Sequence, residues 1–207
     1  RAEGRRRLRR LEAGPRWAYQ RGMAGGAGLE TLIAAAGGLQ SGEAAEGRRL
    51  PPVHLWNPAH CGEIDIVIRK DGSWWHEGSA IGRPALVRLF STVLRKDPDG
   101  FHLVTPAEKL KIAVEDAPFI AVSADREGEQ LVFTTNVGNR AAAGPDHLIR
   151  VETAADGAPR PYVHVRAGLE ALIARPVFYR LVAEAEARDG RLGLASNGVW
   201  FDLGAAA

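Results

Sequence analysis

The chain contains Ile81-Gly82-Arg83-Pro84-Ala85-Leu86-Val87-Arg88-Leu89, and this nonapeptide returns 92 residues later as Ile173-Ala174-Arg175-Pro176-Val177-Phe178-Tyr179-Arg180-Leu181. The two copies keep Ile, Arg, Pro, Arg and Leu in register, and each is followed by an Asp-Gly pair, Asp99-Gly100 or Asp189-Gly190. Similarity at a fixed distance is the sequence signature of a repeated structural unit. The chain is therefore predicted to be internally duplicated.

Each nonapeptide is predicted to begin an amphipathic helix. Pro84 and Pro176 suit the first helical turn, where the missing N–H costs no hydrogen bond. Apolar residues then recur at helical spacing and form one stripe. This stripe consists of Leu86, Leu89, Phe90, Val93 and Leu94 in the first copy and of Phe178, Leu181, Val182 and Ala185 in the second.

The rest of the chain carries strand patterns joined by turn residues. Residues 64–68 and 73–76 flank the turn Lys70-Asp71-Gly72, which predicts a β-hairpin. Further strands are predicted within 101–104, 110–114, 119–122, 131–135, 147–151, 162–165, 191–194 and 199–201, with a capped helical turn at 105–108. The pattern indicates an α+β fold of two tandem, structurally similar motifs of antiparallel strands, each with one main amphipathic helix.

The arginine-rich N-terminus has a composition unlike that of the remaining chain. Residues 1–22 hold eight Arg and two Glu, a net charge of +6, which leaves 19 basic and 23 acidic side chains in residues 23–207. Because Met23 is the only methionine, we expect the protein to start there and residues 1–22 to be non-native upstream sequence. The competing interpretation is an arm that contacts nucleic acid by neutralising phosphates, which is not favoured.

The remaining residues divide into three predicted segments. Residues 23–52 are predicted to form a short helix and a Gly- and Pro-rich linker, followed by motifs at 53–124 and 125–207. The single Cys61 excludes an internal disulfide framework and fits a reducing compartment. No apolar run approaches the ~20 residues that span a bilayer. We therefore expect a soluble, cytoplasmic protein without membrane contact.

Several short stretches together resemble one proteobacterial family, domain-of-unknown-function family 1285. The matching stretches lie at residues 55–58, 61–65, 71–74, 81–83, 88–91, 103–109, 114–119 and 165–171. Their order and spacing cover about Pro51 to Leu203, which leaves the arginine-rich segment outside. The resemblance implies two tandem α+β motifs and a suggested role in signal transduction. It implies no activity, substrate, cofactor or catalytic residue.

Two arginines stand at the start of each predicted helix. Arg83 and Arg88 in the first copy, and Arg175 and Arg180 in the second, lie near backbone N–H groups that favour anions. A phosphate or carboxylate ligand is one hypothesis, with His76-Glu77 as neighbours of the first pair. Ion pairs that hold the two motifs together are the alternative, because structural pairing is the commoner use of arginine.

Metal and thiol chemistry find weaker support. His54, His60, Cys61, Glu63 and Asp65 lie within twelve residues, but their spacing matches no established metal-binding pattern, so no metal site is predicted. Cys61 has no orienting third group that would make it a nucleophile.

Adjacent Trp74 and Trp75 must point to opposite faces of a strand, so one is expected in the core and the other is a candidate contact for a partner.

These observations favour a regulatory or sensing module that binds a protein partner or a small ligand. The alternative is an enzyme or a small-anion binder that uses Arg83 and Arg88, and the third hypothesis is nucleic-acid contact through residues 1–22. Nucleotide-binding loops and hydrolase motifs are absent from the sequence, so the balance is against an enzyme. No cofactor is indicated.

Overall fold

The computed structural model describes residues 27–38 and 50–206. Within them, helix α1 spans Ala27–Gly38, which confirms the predicted short N-terminal helix. Its Leu32 and Ala36 are fully buried, and the helix packs against α2 (Pro84–Thr92). No helix among these residues is both long and apolar enough to cross a membrane. The expectations for residues 1–22 lie outside the described residues.

The first domain is a six-stranded sheet with one helix packed on it. A short 3₁₀ turn, Val53–Leu55, leads into it. Its strands are β1 His60–Ile68, β2 Trp74–His76, β3 Ser79–Ala80, β4 Leu94–Asp97, β5 Gly100–Val104 and β6 Glu108–Val114. Their spatial order is β3-β2-β1-β6-β5-β4, and α2 connects the first three strands to the last three. The predicted hairpin around Asp71-Gly72 is confirmed as the β1–β2 pair.

The second domain holds another six-stranded sheet, a second helix and a separate three-stranded sheet. The elements are β7 Phe119–Glu127, β8 Gln130–Thr135, β9 Arg140–Ala142, β10 Ile149–Thr153, β11 Pro159–Arg166, β12 Leu169–Ile173, α3 Arg175–Ala183, β13 Glu186–Arg188, β14 Arg191–Ser196 and β15 Val199–Ala205. The large sheet has the order β10-β11-β12-β7-β8-β9, and β13-β14-β15 form the small one. The protein is thus α+β and mostly strand, with two six-stranded sheets in tandem.

Both large sheets are mixed, which corrects the expectation of purely antiparallel strands. The central pair is parallel in each, β1 with β6 and β7 with β12. Each sheet consists of two groups of three antiparallel strands, and the last strand returns beside the first in the same direction. Only a long connection permits this return, because a tight hairpin makes its two strands antiparallel.

The duplicated nonapeptides do begin two helices of nine residues each, α2 and α3. By chain order, β10–β12, α3 and β13–β15 correspond to β1–β3, α2 and β4–β6, and β7–β9 lie between the two copies. The two copies differ in the pairing of their first and last strands. β1 pairs with β6, whereas no ladder joins β10 to β15 among the described strands. The division placed at 124/125 from the sequence falls inside β7.

Two local predictions were wrong. The apolar stripe predicted a helix that reaches Leu94, but α2 ends at Thr92 and Leu94 begins β4 opposite Leu103. The capped helical turn at 105–108 is a bend between β5 and β6. Thr105 Oγ1 does accept the N–H groups of Ala107 and Glu108, but no helix follows.

Candidate functional site

A small pocket lies at the start of α2, where the two domains meet. Its volume is about 230 Å³. The first domain contributes the turn after β1, the segment after β3 and one face of α2, and the second domain contributes Asn136. The lining residues are Gly72, Ser73, Trp74, Ala80, Ile81, Gly82, Pro84, Val87, Arg88 and Asn136.

Helix α2 begins at this pocket without a side-chain cap. Arg83 is the N-cap residue, and neither its side chain nor another caps the helix. Pro84 follows at the start of the first turn, and the Arg83 carbonyl accepts the N–H groups of Leu86 and Val87. An uncapped helix start next to a cavity offers the positive end of the helix dipole to a bound anion.

Of the six residues predicted from the sequence as ligand contacts, the pocket contains Arg88 alone. Arg83 is exposed outside the lining. His76 uses its Nδ1 in a 2.9 Å hydrogen bond with the Asp65 carbonyl, and Glu77 is exposed in the β2–β3 turn with φ of 47°. The expected convergence of Arg83, His76 and Glu77 is therefore not found.

The equivalent arginines of the two copies have different surroundings. Arg180 donates a hydrogen bond to the Ala124 carbonyl and lies 4.0 Å from Asp125, so it ties α3 to β7. The carbonyl of Arg88, its counterpart, accepts from Ser91 Oγ, but the Arg88 guanidinium has no hydrogen bond or ion pair within the described part of the chain. Arg175 is exposed and lines neither of the two cavities described for this structure. The duplication thus places a bonded arginine at one helix and an unpaired one at the other.

Trp74 lies in the wall of the pocket and not on the surface. Its side chain is 2% exposed and stacks on Phe90, with ring centroids 6.3 Å apart. It therefore presents no surface to a partner protein. Its indole N–H is buried and has no acceptor. A buried donor without an acceptor costs about 1–3 kcal/mol, so this group calls for a partner.

Trp75 has the opposite orientation and is half-buried. Its indole N–H donates to Ser73 Oγ over 2.8 Å, and the Arg69 guanidinium lies 3.5 Å above its ring. Of the two tryptophans, Trp75 is the one that remains a candidate partner contact.

Asn136 links the pocket to the second domain. Its Oδ1 accepts the Ile120 N–H at 3.0 Å, and its Nδ2 approaches the Gly72 carbonyl at 3.4 Å. Gly72 has φ of +80°, and a Cβ placed there would lie 2.6 Å from Ile120 Cγ1. The sequence predicted the turn at Gly72, but nothing in it indicated that Asn136, 64 residues away, would meet this turn.

A larger groove of about 830 Å³ lies in the second domain between β10 and β15. Four of its charged side chains already pair with one another. Arg150 binds both carboxylate oxygens of Glu170 at 2.7 Å, and Arg191 pairs with Asp202. His164 is also satisfied, because its Nε2 accepts the Gly168 N–H.

The groove does leave one strand edge open. The His164 N–H donates to the Leu148 carbonyl and the Ala154 N–H to the Ala158 carbonyl, so every second residue of β10 bonds to β11. The main-chain groups of the residues between them, Ile149, Val151 and Thr153, therefore point away from β11 and toward β15.

A buried polar cluster covers the opposite face of the first sheet. His102 is 3% exposed and lies 3.4 Å from Asp97 and 3.3 Å from Asp99. Burial lowers the pKa of His102. Burial would raise the pKa of Asp97, but hydrogen bonds from Lys109 and Arg95 outweigh it and lower that pKa.

Asp97, Asp99 and His102 are also the one set of three metal-type side chains brought together within residues 27–38 and 50–206. Lys109 Nζ lies 2.7 Å from Asp97 and already supplies a positive charge there. The cluster thus has the composition of an ion-pair network. His54, His60, Cys61, Glu63 and Asp65 do not form such a set.

Comparisons with known proteins cover both domains. Residues 51–117 match the family model described as "Domain of unknown function (DUF1285), N-terminal domain", and residues 118–203 match "Protein of unknown function (DUF1285), C-terminal domain". A crystal structure of a DUF1285 family protein from Silicibacter pomeroyi DSS-3 is similar with 49% identity and a TM-score of 0.74, covering 84% of this chain and 94% of that one.

A second crystal structure, of a DUF1285 family protein from Shewanella baltica OS155, is 25% identical with a TM-score of 0.48, over 58% of this chain and 92% of that one. No curated protein matches.

Proposed function

The chain belongs to the DUF1285 family, and from the pocket at the start of α2 we propose that it is a sensing module that binds a small anionic ligand. One observation carries the proposal: the unpaired Arg88 and the unsatisfied indole N–H of Trp74 belong to side chains that line the same pocket. Both are hydrogen-bond donors, and neither has an acceptor among the described residues. An anion would accept from both.

The duplication supports this use of Arg88. Where the second copy needs its arginine for structure, Arg180 bonds to the strand below its helix. Arg88 makes no such bond although it occupies the same place in its nonapeptide. Arg88 is exposed in the second turn of α2 and lines the pocket, so its unpaired guanidinium is available to a ligand that arrives from solvent.

The position of the pocket supports sensing, because a ligand there would touch both domains. Asn136 of the second domain lines the pocket and is bonded to β7 through the Ile120 N–H. At the other end of α2, Arg166 of the second domain donates to the Ser91 carbonyl over 2.6 Å. The second domain therefore helps to line the pocket at the start of α2 and bonds to the last turn of that helix. A ligand that binds one arrangement of the domains more tightly would shift the population toward it.

The lining favours binding over catalysis. It contains no His, Cys, Asp or Glu among the described residues, so no general base lines the pocket. Its one hydroxyl, Ser73 Oγ, donates to Asp71 at 2.6 Å.

Binding is tested by thermal denaturation in the presence of phosphate, acetate and isovalerate. A ligand at a hundred times its Kd stabilises the folded state by about 2.7 kcal/mol, which raises the melting temperature by about 5 to 10 °C in a chain of this size. Arg88→Gln should abolish the shift. Arg175→Gln removes another exposed arginine outside the pocket and should preserve it. The proposal is refuted if no anion stabilises the protein or if both variants respond alike.

A protein partner is the second candidate. The open edge of β10 favours it, because unpaired main-chain groups along a strand can accept another strand. Val151→Pro would remove only an outward N–H, since Val151 stands opposite Pro161 at a position without a ladder bond. Loss of a partner contact in this variant, with unchanged folding, would support strand addition, and an unchanged contact would exclude it.

A further inference from the structure

We infer that the ligand of the pocket at the start of α2 is a monocarboxylate that carries a short, branched apolar group. This inference rests on the proposed function and specifies the chemistry of the ligand. It follows from three properties of the pocket: its charge, its walls and its size.

The charge of the lining favours a monoanion. Arg88 is the one charged side chain among the described lining residues, and no carboxylate opposes it. A second negative charge on the ligand would enter the pocket without a cation to pair with, and an unpaired charge removed from water is costly. A carboxylate carries one charge and fits the planar fork of a guanidinium.

The donors of the pocket can divide between the two oxygens of a carboxylate. Arg88 would bind one oxygen, and the other oxygen would accept from the indole N–H of Trp74. Trp74 is 2% exposed and its N–H has no acceptor, so a ligand oxygen would satisfy a donor that the protein itself leaves unpaired. This donor is an observation separate from the unpaired guanidinium of Arg88.

The walls are mainly apolar, which distinguishes an organic acid from a simple inorganic anion. Half of the lining consists of hydrocarbon or aromatic side chains, namely Trp74, Ala80, Ile81, Pro84 and Val87. A hydrated phosphate gains nothing from such a surface. A branched hydrocarbon group would exclude water from it and add about a fourfold gain in affinity for each buried methylene group.

The volume sets the size of the ligand. A pocket of about 230 Å³ corresponds to roughly eight water-sized groups at ~30 Å³ each. Isovalerate is of this size, with a carboxylate at one end and a branched apolar group at the other. Acetate would leave much of the pocket empty, and a nucleotide would exceed it.

The test is a titration of the full chain, followed by calorimetry and by the indole N–H resonances in ¹⁵N-labelled protein. The probes are isovalerate, acetate, inorganic phosphate and the uncharged isovaleramide. We expect isovalerate to bind at least about tenfold more tightly than acetate, because of its additional buried carbons. Isovaleramide should bind more weakly than isovalerate, and the resonance lost in Trp74→Phe should be the one that shifts.

Variants separate the indole from general packing. Trp74→Phe keeps an aromatic ring against Phe90 and removes the donor, so isovalerate should bind about tenfold more weakly. Trp75→Phe is the matched control, because that indole already donates to Ser73. If Trp74→Phe does not fold, single Phe variants of the other four tryptophans assign the Trp74 resonance by elimination. Isovalerate should then shift that resonance in the unmodified chain and leave it in place in Arg88→Gln. Equal effects of the two Phe variants would overturn the role of Trp74.

The outcomes also distinguish this inference from the proposed function. If acetate or phosphate binds as tightly as isovalerate, the inferred ligand class is wrong while anion binding at Arg88 stands. If isovaleramide binds as tightly as isovalerate, the carboxylate is not recognised and the inference fails. If none of the three anions binds, both the inference and the proposed function fail.

Discussion

Gly72→Ala should destabilise the protein more than an ordinary glycine substitution, because Gly72 is where the first domain meets the second. Its φ of +80° is a backbone conformation that residues other than glycine rarely adopt. An added Cβ would also lie 2.6 Å from Ile120 Cγ1 and 2.9 Å from Asn136 Nδ2. The substitution therefore combines a conformational cost with an overpacking cost at the contact between the domains.

The chain offers a matched control that separates these two costs. Gly78 has nearly the same φ, +76°, but no atom lies within 4 Å of a Cβ built there. Gly78→Ala should lower the free energy of unfolding by the conformational cost, about 1–2 kcal/mol. Gly72→Ala should add an overpacking cost of about 1–3 kcal/mol, for a total of about 2–5 kcal/mol.

Urea denaturation of the two variants measures the difference. In thermal denaturation it should appear as a further fall of the melting temperature by about 2–4 °C per kcal/mol. Ile120→Ala in the Gly72→Ala background should recover part of the loss, because it removes the atom with the shortest contact. Equal losses for the two alanine variants would refute the close contact between the domains, and with it the placement of Asn136 in the pocket.

Three further predictions concern groups away from the pocket. His102→Gln should flatten the fall in stability as the pH drops below about 6.5, because burial lowers the folded-state pKa of His102 and unfolding there takes up a proton; pH-dependent denaturation checks this. Ser196→Ala should cost about 2–4 kcal/mol in urea denaturation, because Ser196 Oγ both accepts the Leu131 N–H and donates to the Ala143 carbonyl; a loss below 1 kcal/mol would contradict it. Arg166→Met should lower the melting temperature, because it removes the hydrogen bond to the last turn of α2. Burial opposes the charge of Arg166, since it lowers the pKa of this side chain to about 10, so the loss should be smaller than for an exposed charged donor. An unchanged melting temperature would show that this bond contributes nothing.

Local sequence signals were sufficient for individual elements and failed where tertiary pairing decided the outcome. Pro84 and Pro176 marked both helix starts, because proline acts within its own turn. Leu94 was assigned to α2 because a buried residue is apolar in a helix and in a strand alike. Its pairing with Leu103 in β4 depends on a contact that periodicity does not encode.

The candidate site shows the same division. Arg88 was identified because its place near a helix start can be read from the nonapeptide alone. Asn136 was missed because it reaches the pocket only through the packing of one domain on the other. The sequence predicted that one of Trp74 and Trp75 lies in the core but did not choose between them, since the face of a strand that a side chain occupies depends on register. That the Trp74 indole would lack an acceptor depends on every surrounding side chain.

The missing ladder between β10 and β15 has a consequence for the dynamics of the second domain. Among the described strands, β13, β14 and β15 form no ladder with any other sheet. They are linked to the large sheet of the second domain through α3 and through bonds such as the one from the Leu131 N–H to Ser196 Oγ. Elements held by few bonds open together at a free energy below that of global unfolding. We therefore expect the amide hydrogens of β14 to exchange as one cooperative group and faster than those of β7, so that the carboxyl-terminal strands behave as a separate folding unit within one continuous chain.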